Sequence, residues 1–122
     1  MCHEQGTASI RGKVRSAIRM VIPLNKQIEA IDILSSVSAR VRYEPSCISS
    51  RIYRDVDEVR AIMLEELWTN QEEILKHLQS EAYHRVLLVI EMAEEPPEIR
   101  FDTIEGSSGI ETIANARMQT CE

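Results

Sequence analysis

The segment Ala61-Ile-Met-Leu-Glu-Glu-Leu-Trp68, followed at once by Thr69-Asn-Gln-Glu-Glu-Ile-Leu-Lys-His77, constrains this chain more than any other. It reads as a strand that ends on the single tryptophan and passes directly into a capped helix. Side chains alternate across a strand, so Ile62, Leu64, Glu66 and Trp68 share one face and Ala61, Met63, Glu65 and Leu67 the other. Both faces are largely apolar, so both are expected to be buried, each with one carboxylate. A buried carboxylate is costly unless it is paired or has chemistry to perform, which directs attention to Glu65 and Glu66.

The 122 residues suit one domain with a single core. A net charge of −6 argues against a nucleic-acid partner, which calls for a basic surface. The scattered Lys and Arg offer no polybasic block for anionic lipid, and no apolar run approaches the roughly 20 residues of a membrane helix. The first residues, Met-Cys-His-Glu-Gln-Gly-Thr-Ala-Ser, lack a signal-peptide core, so a cytoplasmic location is the expectation. Cys2, Cys47 and Cys121 are too few and too far apart for a disulfide framework or a metal knuckle. Cys47 reads as a small buried residue. His3, His77 and His84 show no metal-ligand spacing, so no metal site is expected.

Along the chain, residues 1 to 13 read as a loose lead-in. Val14 to Leu24 is a first strand with Ile18, Met20 and Ile22 on one face, and Pro23 near its end. Ile28, Ile31, Leu34, Val37 and Val41 form a helical stripe between Lys26 and Arg42, with Asn25 as its cap. Glu44-Pro45-Ser46 breaks that helix. Cys47 to Asp55 is a second strand, with Ile48 and Ile52 on one face and Arg51 and Tyr53 on the other. Asp55 to Glu58 turns the chain into the strand Arg60 to Trp68. Thr69-Asn-Gln-Glu72 matches a capping box and starts a helix near Asn70, with Ile74, Leu75 and Leu78 inward. Ser80 caps a further segment, Glu81 to Met92, with Tyr83, Val86, Leu87 and Ile90 inward.

Pro96-Pro97 stops that helix, and Glu98 to Ile104 makes a last strand. Gly106-Ser-Ser-Gly109 leads to an amphipathic arm, Ile110 to Met118, expected to dock on a partner subunit. The order β-α-β-β-α-β predicts an α+β domain over residues 14–104, with residues 105–122 as a C-terminal arm. This is the ferredoxin-like plan: one antiparallel sheet with its helices on one face. The uncovered face carries Tyr53, Met63, Leu67 and Val21, too much apolar surface to leave wet. A second copy is the economical cover, so a two-fold homodimer is expected, with Met63, Glu65, Leu67, Arg51 and Tyr53 at its interface.

Several motifs fall in an order that resembles the antibiotic biosynthesis monooxygenase family. Glu44-Pro45-Ser46-Cys47 resembles its Glu-Pro-Gly-Cys turn, with Ser46 in place of the usual Gly. Glu65-Glu66-Leu67-Trp68 resembles its Glu-x-Trp strand end, and His77-Leu78-Gln79-Ser80 its His-x-x-Ser helix. Gly109-Ile110-Glu111 through Ala116-Arg117 is similar to the end of some members. The resemblance spans about residues 14 to 104 and implies a dimeric α+β barrel. It also implies oxidation of quinols or anthrone-like polycyclic phenols without a cofactor. Related proteins degrade haem, but Leu87 stands near where they carry their iron ligand, and His84 lies nearly a turn earlier. The implied partner is a small aromatic molecule, with no cofactor.

On that reading Glu66 is a general base for a phenolic proton, or else half of a structural ion pair with an Arg such as Arg54. Trp68 is the wall of an aromatic pocket or a core anchor, and Leu64 shares its face toward that pocket. His77 shuttles a proton, orients Glu66 or Trp68, or sits half exposed beside Lys76. Tyr83 binds a substrate oxygen or fills the core. Three functions follow: a monooxygenase with Glu66 or His77 as base, a small-molecule-binding or stress-related module, and a structural dimer with paired acids. An unpaired Glu66 beside an open pocket favours the first; a filled core with Glu66 locked to an Arg favours the third.

Overall fold

The computed structural model describes residues 12–119. Most of the expected lead-in lies outside the described residues, as do Cys2, His3 and Cys121. Among the described residues the chain runs β1 (Lys13–Val21), a short 3-10 turn (Leu24–Lys26), α1 (Gln27–Val41), β2 (Cys47–Arg54), β3 (Ala61–Trp68), α2 (Gln71–Leu78), α3 (Glu81–Ile90), β4 (Glu98–Ile104) and α4 (Ile110–Gln119). The strands form an antiparallel sheet in the order β2-β3-β1-β4, the ferredoxin-like arrangement that the element order predicts. No helix among the described residues is long and apolar enough to cross a membrane.

Register fixes which side chains meet. Glu66 lies between Ser16 on β1 and Ser50 on β2, and Trp68 between Val14 and Cys47. The helices cover this face. Ile18, Met20, Ile22, Leu34, Ile62 and Leu64 are shielded there in one core. Each side chain so buried contributes roughly 1.5–3 kcal/mol. The opposite face is half open and carries ion pairs, Arg15–Glu65 at 3.3 Å and Arg19–Asp55 at 3.4 Å. Asp55 also closes the β2–β3 hairpin: its Oδ1 accepts the N–H groups of Asp57 and Glu58, which hold its carboxyl below the usual range.

The structure corrects several expectations. β1 ends at Val21, so Pro23 lies beyond the strand. A β-bulge between Cys47 and Ser49 takes Ile48 out of the alternation and leaves it 45% exposed, no longer on the face of Ile52. Asn25 does not cap α1, which has no side-chain cap bond. Instead the Gln27 amide donates to the carbonyls of Ile22 and Arg60, and that anchor turns residue 27 inward. The buried stripe is therefore Gln27, Ala30, Leu34, Val37, Ser38 and Val41, and Ile28 points outward.

The cap of α2 is Asn70, one residue beyond Thr69, with its Oδ1 accepting the N–H of Glu73. Leu75 and Leu87 are exposed; Ile74, His77, Tyr83, Val86 and Val89 face the core. α3 packs chiefly against α1, and the side it turns inward carries Tyr83, Val86 and Val89. Ser80 caps α3 as expected, accepting the N–H of Tyr83. The C-terminal α4 is exposed along its whole described length.

Candidate functional site

The two adjacent acids of β3 have different fates. Glu65 is half-buried in its pair with Arg15, so the expectation that both acids are buried fails for it. Glu66 is fully buried. Its Oε2 accepts the Ser50 hydroxyl at 3.1 Å, and its Oε1 accepts the Trp68 indole N–H at 3.3 Å. Arg54 is exposed and is not among the partners found for Glu66, because it lies opposite Ile62, four residues along β2 from Ser50, the residue that faces Glu66.

His77 completes the group from α2. Its Nε2 lies 2.9 Å from Glu66 Oε1, yet the oxygen stands off the ring N–H direction, so Nε2 has no directed hydrogen bond. The contact is therefore electrostatic. Trp68 stacks on the imidazole with centroids 4.6 Å apart and planes 27° off parallel, while Tyr83 meets it edge-on at 5.2 Å. His77 is thus buried and clamped between two aromatic rings, not half exposed beside Lys76. Ser80 holds the backbone at this point, its hydroxyl donating to the His77 carbonyl at 2.7 Å.

A cavity of about 490 Å³ opens at this cluster. Its walls are Arg40, Val41 and Glu44 at the end of α1, Trp68 at the end of β3, Glu73, Lys76 and His77 on α2, and Ser80, Glu81, Ala82 and Arg85 at the start of α3. The strand-to-helix handover at Thr69 and Asn70 brings Trp68 and His77 to the same wall. Of the lining residues, Val41 and Trp68 are buried, and Arg40, Glu44, Lys76 and Glu81 are exposed. Lys76 pairs with Glu73 at 3.6 Å, and Arg85 donates to Ser36 at 3.2 Å.

The sequence-predicted residues separate on this map. Trp68 and His77 line the cavity, and Glu66 lies directly behind them. Leu64, expected at the pocket, is buried in the core and does not line the cavity, since it sits four residues back along β3. Tyr83 also stands behind His77, not in the lining. Burial, with the Glu66 charge adding to it, pushes its phenol up to about 12, so it stays neutral. The same two causes push the Cys47 thiol up to about 11, against a weaker opposing bond to Ser49, leaving it a poor nucleophile. Met63, Glu65, Leu67, Arg51 and Tyr53 lie on the opposite face of the sheet, away from the cavity.

Sequence reasoning missed Ser50, which donates to Glu66, and Ser38 and Arg42 behind it. Ser38 donates to Ser50 Oγ at 2.8 Å, and the Arg42 guanidinium donates to Ser38 Oγ at 3.3 Å. A usable signal existed for Ser38: it lies four residues after Leu34, on the same helical stripe. Among the described residues no group of three or more metal-ligating side chains stands together.

An α+β sheet domain with an aromatic-walled cavity over a buried acid and histidine is the frame into which the comparisons fit. The model of the antibiotic biosynthesis monooxygenase family matches residues 14–87, and the chain belongs to that family. A Caulobacter crescentus CB15 structure provisionally named an antibiotic biosynthesis monooxygenase superposes with a TM-score of 0.73 at 15% identity, covering 85% of this chain and 100% of the other. One from Deinococcus radiodurans, provisionally given the same name, has a TM-score of 0.72 at 14% identity, covering 80% and 97%. The Mycobacterium tuberculosis protein Rv0793 has a TM-score of 0.71 at 17% identity, covering 80% and 99%. At these identities the structures attest the fold. No protein of curated function matches the chain.

Proposed function

We propose that this chain is a cofactor-independent monooxygenase that oxidises a quinol or polycyclic phenol with molecular oxygen. The observation that carries this reading is the buried Glu66–His77 pair at the wall of a cavity faced by Trp68. A flat aromatic substrate lies against the apolar wall with a phenolic hydroxyl toward His77. The imidazole takes that proton, and the Glu66 carboxylate 2.9 Å behind stabilises the imidazolium that forms. The phenolate pushes electron density onto a ring carbon that bears hydrogen. This carbon bonds to one atom of O₂, and the imidazolium returns its proton to the terminal oxygen to give a hydroperoxide, whose carbon then gives up its hydrogen as water leaves. Loss of water breaks the O–O bond and leaves a carbonyl, so one oxygen atom enters the product and the other leaves as water. The protein contributes orientation, a proton acceptor and exclusion of solvent.

Oxygen uptake with a panel of reduced quinols tests the reading. Wild type is expected to consume oxygen and to form the oxygenated product, with Trp68→Phe and Glu66→Gln both slower. No uptake above the uncatalysed rate with any member would replace this proposal with that of a non-catalytic small-molecule-binding or structural homodimer of the same fold.

The working unit we propose is a homodimer formed through the open face of the sheet. That face carries Met63 and Leu67 half-buried, Tyr53 42% exposed, and a hollow of about 220 Å³ bordered by Arg19, Tyr53 and Met63. A second copy of the same face covers this surface with its own apolar groups and aligns acids against arginines. Light scattering is expected to give twice the mass of one chain; a monomer at micromolar concentration would remove the dimer from the proposal.

A further inference from the structure

The hydrogen bonds behind Glu66 all run one way. The Arg42 guanidinium, at the exposed end of α1, donates to Ser38 Oγ at 3.3 Å and to the Ser50 carbonyl at 3.2 Å. The single Ser38 hydroxyl proton is shared between Ser50 Oγ at 2.8 Å, the shorter contact, and the Ser50 carbonyl at 3.0 Å. The Ser50 hydroxyl then donates to Glu66 Oε2 at 3.1 Å. Both serines are fully buried, and neither lines the cavity. A cation therefore stands at one end of the chain and a carboxylate at the other, with two hydroxyls polarised in series between them.

A hydroxyl at the middle of a strand's core face, or on a helix's inner stripe, contributes nothing to apolar packing. Here two such hydroxyls meet across the α1–β2 contact, where apolar side chains of similar size would fill the space. Their arrangement has a specific consequence for the acid. Glu66 receives donors on both oxygens, from Ser50 and from Trp68, and this holds the carboxylate plane in one orientation. That orientation leaves Oε1 beside His77 Nε2. A neutral imidazole carries one proton. Although Glu66 Oε1 is off the ring N–H direction, a carboxylate oxygen 2.9 Å from Nε2 repels a lone pair there and attracts a proton, which favours the tautomer protonated at Nε2. Nδ1 is then the ring's proton acceptor.

We propose that Ser50 and Ser38, capped by Arg42, are positioning residues that act through Glu66 to hold His77 in its Nε2–H tautomer. The inference rests on the catalytic reading of His77 for its functional consequence, but its structural content does not need turnover. Ser50 sets the carboxylate, Ser38 sets the Ser50 hydroxyl, and Arg42 supplies the charge that orders the series from the surface.

The test is a long-range ¹H–¹⁵N correlation spectrum of the His77 imidazole near neutral pH, without substrate, on wild type and on Ser50→Ala, Ser50→Thr, Ser38→Ala and Arg42→Gln. Wild type is expected to show the Nε2–H pattern. Ser50→Ala is expected to give a mixture of tautomers, Ser38→Ala and Arg42→Gln a smaller shift in the same direction, and Ser50→Thr the wild-type pattern restored. Arg42→Gln lies at the surface and remains informative if a buried variant fails to fold. In oxygen uptake Ser50→Ala is expected to lose about tenfold in kcat with KM unchanged, the worth of one hydrogen bond to a charged group. An Nδ1–H pattern in wild type, or a His77 spectrum identical in wild type and every folded variant, overturns the proposal even if the enzyme turns over. Absence of turnover with the expected spectra removes the monooxygenase reading alone.

Discussion

His77→Gln is expected to lower the rate of oxygen uptake by about 10²–10⁴-fold, the range a positioned general base supplies. Glutamine retains a polar side chain near Glu66, so the carboxylate is not left facing an apolar group. It cannot accept a phenolic proton at neutral pH, and that is the property being removed. His77 is the titratable side chain that both lines the cavity and touches Glu66. Glu66 itself lies behind it, screened from the cavity by Trp68 and His77. If Glu66 were the base acting directly, His77→Gln would leave most of the rate and Glu66→Gln would remove it. The geometry predicts the reverse ranking. The rate of each variant, measured with circular dichroism to confirm folding, decides between them.

Trp68→Ala carries the largest expected loss of stability, about 3–5 kcal/mol, as for other buried aromatic truncations. Trp68 is 2% exposed, so nearly all of its surface is lost from the core on truncation. Two specific contacts go with it: the stack on His77 and the indole N–H on Glu66 Oε1. A drop in thermal midpoint of the order of 10 °C or more corresponds to such a loss. Trp68→Phe separates the terms, since it retains much of the apolar ring but removes the donor. Its expected cost is about 1–3 kcal/mol, the penalty of leaving a buried acceptor short of a partner. Thermal unfolding of the three proteins tells whether the residue is mainly an anchor or also a holder of the acid. An unchanged midpoint in Trp68→Ala would contradict the burial and contacts assigned to this side chain.

The parts of the fold that could be read from residue order are those with strong periodicity and clear punctuation. β3 alternates cleanly and Ser80 caps α3, which marks out the β-α-β-β-α-β plan, whereas α3 already ends at Ile90, before Pro96-Pro97 is reached. The helical stripes were harder. Ile28 is as hydrophobic as Leu34, and the pull that turns Gln27 inward comes partly from the carbonyl of Arg60, far away in sequence, beside that of Ile22. In the site, Glu66 and Trp68 are legible because an acid on an apolar strand face is costly without a role, while the inward stripe read for α2 leaves out His77, whose burial comes from the rings of Trp68 and Tyr83. Ser50 was not, because its meaning comes from its register opposite Glu66 and from the bulge at Ile48. Strand face alone points Leu64 toward the pocket, but a strand face continues past the end of a cavity, and Leu64 lies in that continuation.

The handover from β3 to α2 also makes the molecule its own optical indicator. The sequence contains one tryptophan, and it lies on the cavity wall, stacked on an imidazole and bonded to a carboxylate. Indole emission is quenched by a neighbouring imidazolium and shifts in colour with the polarity around the ring. Light emitted by Trp68 therefore reports from inside the site, with no background from a second indole. On the proposed function, entry of an aromatic guest and transfer of a proton to His77 would each change that one signal.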